Sequence, residues 1–287
     1  AHMEQLVNNG LSIAPLQRIV RSIKYMGFNS VRMSYASSMH QQTASGEEPP
    51  VPSPELIKAN PELRGLSAMA VFDKCIQALT DAGLLVILNR HMGEAGWCCG
   101  QDGSGLWHGP NYTTQEWLDS LTFMASRYKD NQRVIGVDIL NEPRPDSAGF
   151  PWWGLSLNMF GVHVQDYRVA ASQGSVAVWK GNPDALVIHE GAIYAQNLQH
   201  VRSRPLKLAQ ECLSSRIVWS MHEYHWFAGT MRTFSILDDP LRISAFLRLQ
   251  SHQAALDAKL VSEEESGESK PGLENEFGYD TVDTFSL

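Results

Sequence analysis

Helical and strand patterns alternate along this chain, and the alternation constrains its fold more than any other feature of the sequence. Apolar residues recur at helical spacing in five stretches, residues 16–26, 72–79, 117–128, 165–179 and 242–260. Short runs typical of strands occupy residues 29–35, 84–91, 134–141, 185–191, 216–224 and 273–278. This order predicts parallel strands joined by crossover helices.

The length of the chain fits one (β/α)8 barrel domain over residues 1–287. The chain is 43% hydrophobic, which is enough to bury a large core, and such barrels commonly run to about 250 residues. The six predicted strands are two fewer than the eight of a closed barrel. We therefore predict an α/β fold, a TIM barrel that lacks its first and last strands in this chain. Self-association at the exposed sheet edges would satisfy their backbone groups.

Charge and hydropathy argue against two kinds of partner. The formal net charge is −8 and the pI is about 5.7, whereas a nucleic-acid-binding protein would present a basic face. No apolar run approaches the roughly 18 residues that span a membrane, and no signal peptide is visible in this chain. We expect no nucleic-acid partner and no membrane span.

Four cysteines, Cys75, Cys98, Cys99 and Cys212, leave two interpretations open. Their spacing does not fit a zinc site, which needs paired cysteine or histidine ligands. They are either buried residues with free thiols, or one disulfide joins Cys98 or Cys99 to a distant cysteine. The sequence alone does not choose among the connectivities.

Two glutamates end two of the predicted strands. Glu142 lies in Ile-Leu-Asn-Glu-Pro (139–143), and Glu276 lies in Glu-Asn-Glu-Phe-Gly (274–278). A glutamate that faces solvent at a strand end is common, so neither motif is specific by itself. Glycoside hydrolysis requires such a pair, because one carboxyl donates a proton to the leaving oxygen while the other attacks the anomeric carbon.

Other polar residues stand near the ends of further predicted strands. They are Arg32, His91, His222 and Tyr224. Each alone is better explained by a structural role, as a hydrogen-bonded histidine or as a tyrosine whose hydroxyl has a partner. The carboxyl ends of barrel strands converge on one site, however, so residues that are distant in sequence become neighbours there.

Tryptophans in the predicted loops of this face indicate a sugar-binding cleft. Flat rings suit the apolar faces of pyranose sugars, although large aromatic residues also pack loops down. The residues are Trp97, Trp107, Trp152, Trp153 and Trp226. We predict substrate contact for Trp97, Trp107 and Trp226, and both interpretations stay open for the other two.

Together these motifs resemble glycoside hydrolase family 5, the large cellulase family, in type and in order. The resemblance covers most of residues 16–224 and returns at Glu276. The stretches Gly-Phe-Asn-Ser-Val-Arg (27–32), Gly-Trp-Cys-Cys (96–99) and Asp-Gly-Ser-Gly-Leu-Trp (102–107) are similar to eukaryotic cellulase-like and endoglycoceramidase-like members.

The resemblance implies a role for each site residue. Glu142 would be the general acid/base and Glu276 the nucleophile. Asn141 would bind the sugar 2-hydroxyl, and Tyr224 would donate a hydrogen bond to the nucleophile. Arg32 would lie near Glu276 and keep it ionised, as a nearby cation should.

The predicted function is a retaining, endo-acting β-glycosidase that hydrolyses β-1,4-glucan by double displacement. His91 and His222 would line the site, and no metal or organic cofactor is needed because two carboxylates supply acid, base and nucleophile. A glycosylceramide-cleaving enzyme of the same family and a truncated, non-catalytic carbohydrate-binding relative are the alternatives. The resemblance also implies a secreted, extracellular protein.

Overall fold

The computed structural model describes residues 7–39, 50–96, 98–99, 103–198, 200–201, 203–206, 208, 215–224 and 272–278. At positions 223–224 and 272–278 only the backbone is described. Trp97, Trp226 and the helix predicted at residues 242–260 lie outside these ranges.

Six parallel strands form the main sheet, as the sequence predicted. In chain order the strands within the described residues are β1 (Ser30–Ala36), β2 (Leu85–Met92), β3 (Val134–Asp138), β4 (Phe150–Trp152), β5 (Leu157–Met159), β6 (Val162–Asp166), β7 (Leu186–Glu190), β8 (Ile217–Tyr224) and β9 (Gly272–Gly278). The main sheet has the order β1-β2-β3-β7-β8-β9, and all of its pairs are parallel. The predicted α/β fold is confirmed.

Helices precede four of these strands and begin and end at the expected signals. Within the described ranges they are α1 (Leu16–Tyr25), α2 (Ala68–Asp81), α3 (Thr114–Arg127) and α4 (Tyr167–Gly181). Thr113 and Glu116 form a capping box at the start of α3. Gly27 and Gly83, with φ of +87° and +86°, follow the ends of α1 and α2 in the left-handed conformation. No helix in this part of the chain is long and apolar enough to cross a membrane.

Both faces of the main sheet are packed, which explains why its strands are apolar runs rather than alternating ones. On β2, Val86 and Leu88 join the large cluster that contacts the helices, whereas Ile87 joins a separate cluster with Ile188 and Val218. A parallel sheet covered on both sides leaves only the strand ends open to chemistry.

A small three-stranded sheet after β3 was not predicted. Strands β4, β6 and β5 form it in that order, and β5 and β6 make an antiparallel hairpin. The hairpin turns at Phe160 and Gly161, with φ of +52° and +79°, the positive values of a type I′ turn. Asn-Gly or Asp-Gly usually marks this turn, so Phe-Gly between strands of three and five residues gave no recognisable signal.

The pairing of the cysteines differs from the disulfide to a distant cysteine that the sequence left open. Cys98 is bonded to its sequence neighbour Cys99, not to a distant cysteine, and their Cα atoms lie 3.7 Å apart. Adjacent cysteines need no intervening chain to bring them together. Cys75 is a buried free thiol, and burial raises its pKa to about 12. Cys212 lies outside the described residues.

We predict that Gly136→Ala destabilises the sheet. A Cβ at Gly136 would stand 2.7 Å from the backbone oxygen of Leu186 on the adjacent strand, so one strand must shift. Overpacking of this kind costs roughly 1–3 kcal/mol, measurable as a lower urea midpoint. Gly96→Ala is the control, because no described residue has an atom within 4 Å of the place that its new methyl group would take. Equal midpoints for the two variants would contradict the close strand contact.

Candidate active site

Glu142 stands in a sharp turn just beyond β3. The strand's hydrogen bonding continues past Asp138, since the Ile139 N–H donates to Ile188 O and the Asn141 N–H donates to Arg90 O. At Glu142 the chain then takes a φ of +44°, in the left-handed region that non-glycine residues rarely adopt. The residue is only 3% exposed. The turn therefore holds this carboxyl at the buried carboxyl end of the sheet.

Two side chains from neighbouring strands contact Glu142. His222 Nδ1, on β8, lies 2.9 Å from Glu142 Oε1. The backbone N–H of Glu142 donates to Glu190 Oε2, at the end of β7, over 2.5 Å. His222 and Glu190 are each 1% exposed. The backbone and the carboxyl of Glu142 are thus held by separate partners.

Arg32 connects three strands across the same end of the sheet. From β1 it donates through Nε to Asp138 Oδ2 over 2.8 Å and through Nη2 to Asn141 Oδ1 over 2.8 Å. Nη2 also donates to Glu190 Oε1. Because Arg32 donates to the Asn141 carbonyl oxygen, the orientation of the Asn141 amide is fixed.

Burial raises the pKa of the Glu190 carboxyl well above its usual range, and the negative charge of Asp138 raises it further. His222 and Arg32 oppose this shift. Two carboxyls around one guanidinium leave the cluster with more acidic than basic groups, and desolvation adds to the imbalance.

His91 belongs to the same network through an intermediate residue. Its Nδ1 lies 2.7 Å from Asn89 Oδ1 and 3.4 Å from Ser34 Oγ. Asn89 in turn donates to Asp138 Oδ2 over 3.1 Å. The predicted site residues Arg32, His91, Asn141, Glu142 and His222 therefore lie in one connected group.

The backbone of Glu276 lies beside this group. In the β8–β9 pair Glu276 is in register with His222, and Tyr224 is in register with Gly278. Adjacent strands are about 4.8 Å apart, so the Glu276 backbone is one strand away from the histidine that contacts Glu142. The side chains of Glu276 and Tyr224 lie outside the described part of the chain, and their roles stay predictions.

The described contacts of Trp107 are those of a packing residue. It is 7% exposed, and its ring stacks on Tyr167 with centroids 6.0 Å apart. Trp153 is also buried and donates to Arg204 O. Trp152 is partly exposed beside Phe150. Substrate contact by Trp107 stays a prediction that depends on its small exposed edge.

One group of metal-binding residue types occurs among the described residues. The donor atoms of His91, Cys98 and Cys99 lie within 4.8 Å of one another. Sulfurs joined in a disulfide are not thiolate ligands, so this group does not hold a metal in the oxidised state. Asn141 Nδ2 lies 3.5 Å and 3.7 Å from the two sulfurs, which places the disulfide against the site.

Asp138 and Glu190 are site residues that the sequence interpretation missed. Both lie within strands that were predicted correctly, and both side chains are fully buried. A charged residue inside an apolar strand is itself a signal, since such groups are almost never buried without a partner.

The polar groups of this chain gather at the carboxyl ends of parallel strands. Enzymes with a barrel fold have their active sites on this face. The particular family comes from comparison. The family model described as cellulase (glycosyl hydrolase family 5) matches residues 5–278, and the chain belongs to that family.

Curated relatives include an endoglucanase of Paenibacillus polymyxa, 28% identical over 75% of this chain and 51% of its own length. A glycosyl hydrolase 5 family protein of Chamaecyparis obtusa is 27% identical over 79% of this chain and 39% of its own. The major extracellular endoglucanase of Xanthomonas campestris pv. campestris is 28% identical over 76% of this chain and 43% of its own length. The chain thus spans about half the length, or less, of these relatives.

Solved structures agree on the fold. The catalytic domain of the major Xanthomonas campestris endoglucanase has a TM-score of 0.71 at 23% identity and covers 98% of this chain and 84% of its own. A cellotetraose complex of the endocellulase from Pyrococcus horikoshii has a TM-score of 0.73 at 20% identity. The match covers 98% of this chain and 73% of the endocellulase chain.

We predict that Arg32→Lys destabilises the protein far more than Arg127→Lys does. Lysine cannot reproduce the planar fork that serves Asp138, Asn141 and Glu190, so buried acceptors lose partners. The free energy of unfolding, measured in urea, should fall by about 2–4 kcal/mol.

Arg127 is the matched control, because it makes a similar two-bond contact with Asp73 while both side chains are about one third exposed. Its replacement should cost less than about 1 kcal/mol. Comparable losses in the two variants would contradict a central role for the buried Arg32 cluster.

Proposed function

We propose that this protein is a retaining, endo-acting β-glycosidase that hydrolyses β-1,4-glucan, with Glu142 as general acid/base and Glu276 as nucleophile. The observation that carries the proposal is the buried contact of Glu142 with His222, whose register partner on the next strand is Glu276. The match to the family model spans both positions.

The proposed reaction has two steps. Glu142 first donates a proton to the glycosidic oxygen while Glu276 attacks the anomeric carbon, and a covalent glycosyl-enzyme forms. Glu142, now a carboxylate, then takes a proton from a water molecule that displaces the enzyme carboxylate from the sugar. This mechanism requires the two carboxyls to stand about 5–5.5 Å apart.

The surrounding residues take supporting roles in this proposal. Asn141, whose amide is oriented by Arg32, donates its N–H group to the sugar 2-hydroxyl. Tyr224 donates to the nucleophile, and His91 lines the site. The two carboxyls supply acid, base and nucleophile, so the proposed reaction proceeds without a metal or organic cofactor.

The choice of β-1,4-glucan is supported by relatives. Those named above include two endoglucanases, and one is described as extracellular. The structural neighbour from Pyrococcus horikoshii is an endocellulase solved with cellotetraose. We accordingly propose an extended cleft, sugar contacts by Trp97 and Trp226, and secretion of the protein.

A glycosylceramide is the second candidate substrate, because the β5–β6 hairpin supplies an apolar surface. Its exposed apolar side chains are Leu157, Met159, Phe160 and Val162, and Phe160 is 95% exposed. The hairpin belongs to the segment that follows Glu142, and active sites of barrels are built from the segments after strand ends. A lipid substrate would need such a surface beside the cleft.

In Glu142→Gln we expect aryl β-glycosides with good leaving groups to form the glycosyl-enzyme but to turn over slowly. Removing a general acid/base costs roughly 100- to 10,000-fold on natural substrates. Azide should restore turnover, because it needs no general base. Proton NMR should identify the product as the β-glycosyl azide, since two displacements retain configuration.

If Glu142→Gln kept the full activity of the parent on polysaccharide, Glu142 could not be the acid/base. An α-configured first product would exclude the proposed role of Glu276.

Substrate choice is tested by comparing soluble β-glucan with glycosylceramide in detergent micelles. We expect the viscosity of the glucan to fall before much reducing sugar appears, as endo cleavage requires. If the hairpin contacts lipid, Phe160→Ser should lower kcat/KM on the ceramide by about 10-fold or more, because burying a phenylalanine contributes about 1.5–3 kcal/mol. Glucan cleavage should be unchanged.

Tyr25→Ser is the matched control, since Tyr25 is 92% exposed at the end of α1. Cleavage of the ceramide alone would overturn the glucan proposal. Binding of either substrate by folded protein without cleavage would favour the non-catalytic alternative.

A further inference from the structure

Glu190 has no role in the proposed reaction, yet it contacts the acid/base more directly than most site residues do. It is the last residue of β7 and is 1% exposed. Its Oε2 accepts the backbone N–H of Glu142, and its Oε1 accepts from Arg32. Oε1 also lies 3.5 Å from Nε2 of His222. Both carboxyl oxygens are therefore used within the site.

The backbone of Glu142 needs such a partner. Its φ of +44° is a conformation that persists in a non-glycine residue only when the surroundings over-determine it. The hydrogen bond from this N–H to Glu190 Oε2 satisfies a buried donor, which would be costly to leave without a partner. Glu190 thus stabilises the turn that sets where the Glu142 side chain begins.

The same carboxyl also reaches the other end of Glu142. His222 lies within reach of Glu190 through Nε2 and of Glu142 Oε1 through Nδ1. The imidazole consequently lies between the two glutamates. A change at Glu190 therefore alters both the backbone and the side-chain environment of the acid/base.

We propose that Glu190 is a positioning residue for Glu142, which holds the acid/base in the orientation that protonates the leaving oxygen. This inference rests on the proposed function. Glu190 acts through Glu142 and His222 and is not itself placed against the substrate. The acidic oxygens, rather than the volume of the side chain, carry the role.

Glu190→Gln separates charge and acceptor geometry from volume, because glutamine has nearly the same shape. Either orientation of the amide points its NH₂ group at a donor, the Glu142 N–H or the Arg32 guanidinium. A side chain needed only for packing would tolerate this change. A positioning carboxylate would not.

The kinetic test compares two aryl β-cellobiosides as substrates of the whole chain. A misplaced acid matters little for 2,4-dinitrophenolate, which leaves without protonation, and strongly for a poor leaving group such as phenol. In Glu190→Gln we expect first-step rates about 10- to 100-fold lower for the phenyl glycoside and within about 3-fold of the parent for the dinitrophenyl one. Loss of folded protein alone would reduce both rates equally.

Asn60→Asp is the matched control for a disturbed buried polar group. Asn60 is fully buried, accepts from the Leu16 N–H and donates to Leu11 O and Ala14 O. The aspartate carboxylate of this variant would oppose two carbonyl oxygens, much as the glutamine amide of Glu190→Gln opposes a donor. We expect lower stability in this control and an equal factor on both glycosides.

A second measurement needs no activity. In protein labelled with [15N]glutamate, the Glu142 amide signal is assigned by its loss in Glu142→Gln. Glu190→Gln should shift this signal upfield and speed its hydrogen exchange by roughly 10-fold, as expected when an amide group disturbs the hydrogen bond that a carboxyl oxygen accepted. Asn60→Asp should leave the shift unchanged.

Equal rate factors on the two glycosides, or an unchanged Glu142 amide in Glu190→Gln, would overturn the positioning role. If the parent protein cleaves neither glycoside, the proposed function fails. The amide measurement then still decides whether Glu190 holds Glu142.

Discussion

The buried contact of Arg32 with Asp138 and Glu190 is the interaction on which the site depends. It joins β1, β3 and β7, which are otherwise linked only through neighbouring pairs. Breaking a buried pair by removing one partner is strongly destabilising, since it leaves an uncompensated charge. Arg32 therefore fixes the relative positions of three strand ends, and each of those ends carries or supports a proposed functional group.

Hydrogen bonds that begin at this contact orient the other polar groups of the site. Arg32 fixes the amide of Asn141, and Glu190 fixes the backbone of Glu142. Asp138 accepts a hydrogen bond from Asn89, which in turn contacts His91. Polar groups buried together in this way are rigid because each bond is strengthened by the low local dielectric. Rigidity of this kind is what acid/base catalysis at a defined oxygen requires.

The main sheet could be predicted because its signals are local. Strands covered on both faces read as continuous apolar runs, and glycines such as Gly27 and Gly83 mark the helix ends. Glu142 and its neighbours were predicted because barrel strand ends converge. Glu190 was missed because its importance comes from a contact across 48 residues of chain, which no local pattern records. The hairpin was missed because Phe160 adopts a turn conformation that usually belongs to Asn or Asp.

The order of strands in the sheet has a consequence for how the protein folds. Strands that are neighbours in the main sheet also follow one another along the chain among the strands of that sheet, so each pairing closes a single connection. Arg32 and Glu190, by contrast, are 158 residues apart. Strand pairs can thus form unit by unit, whereas this ion pair requires the sheet to curve first. Because Arg32 and Glu190 are so far apart along the chain, we expect their contact to form after the strand pairs that lie between them, so the polar cluster at the strand ends would assemble late in folding.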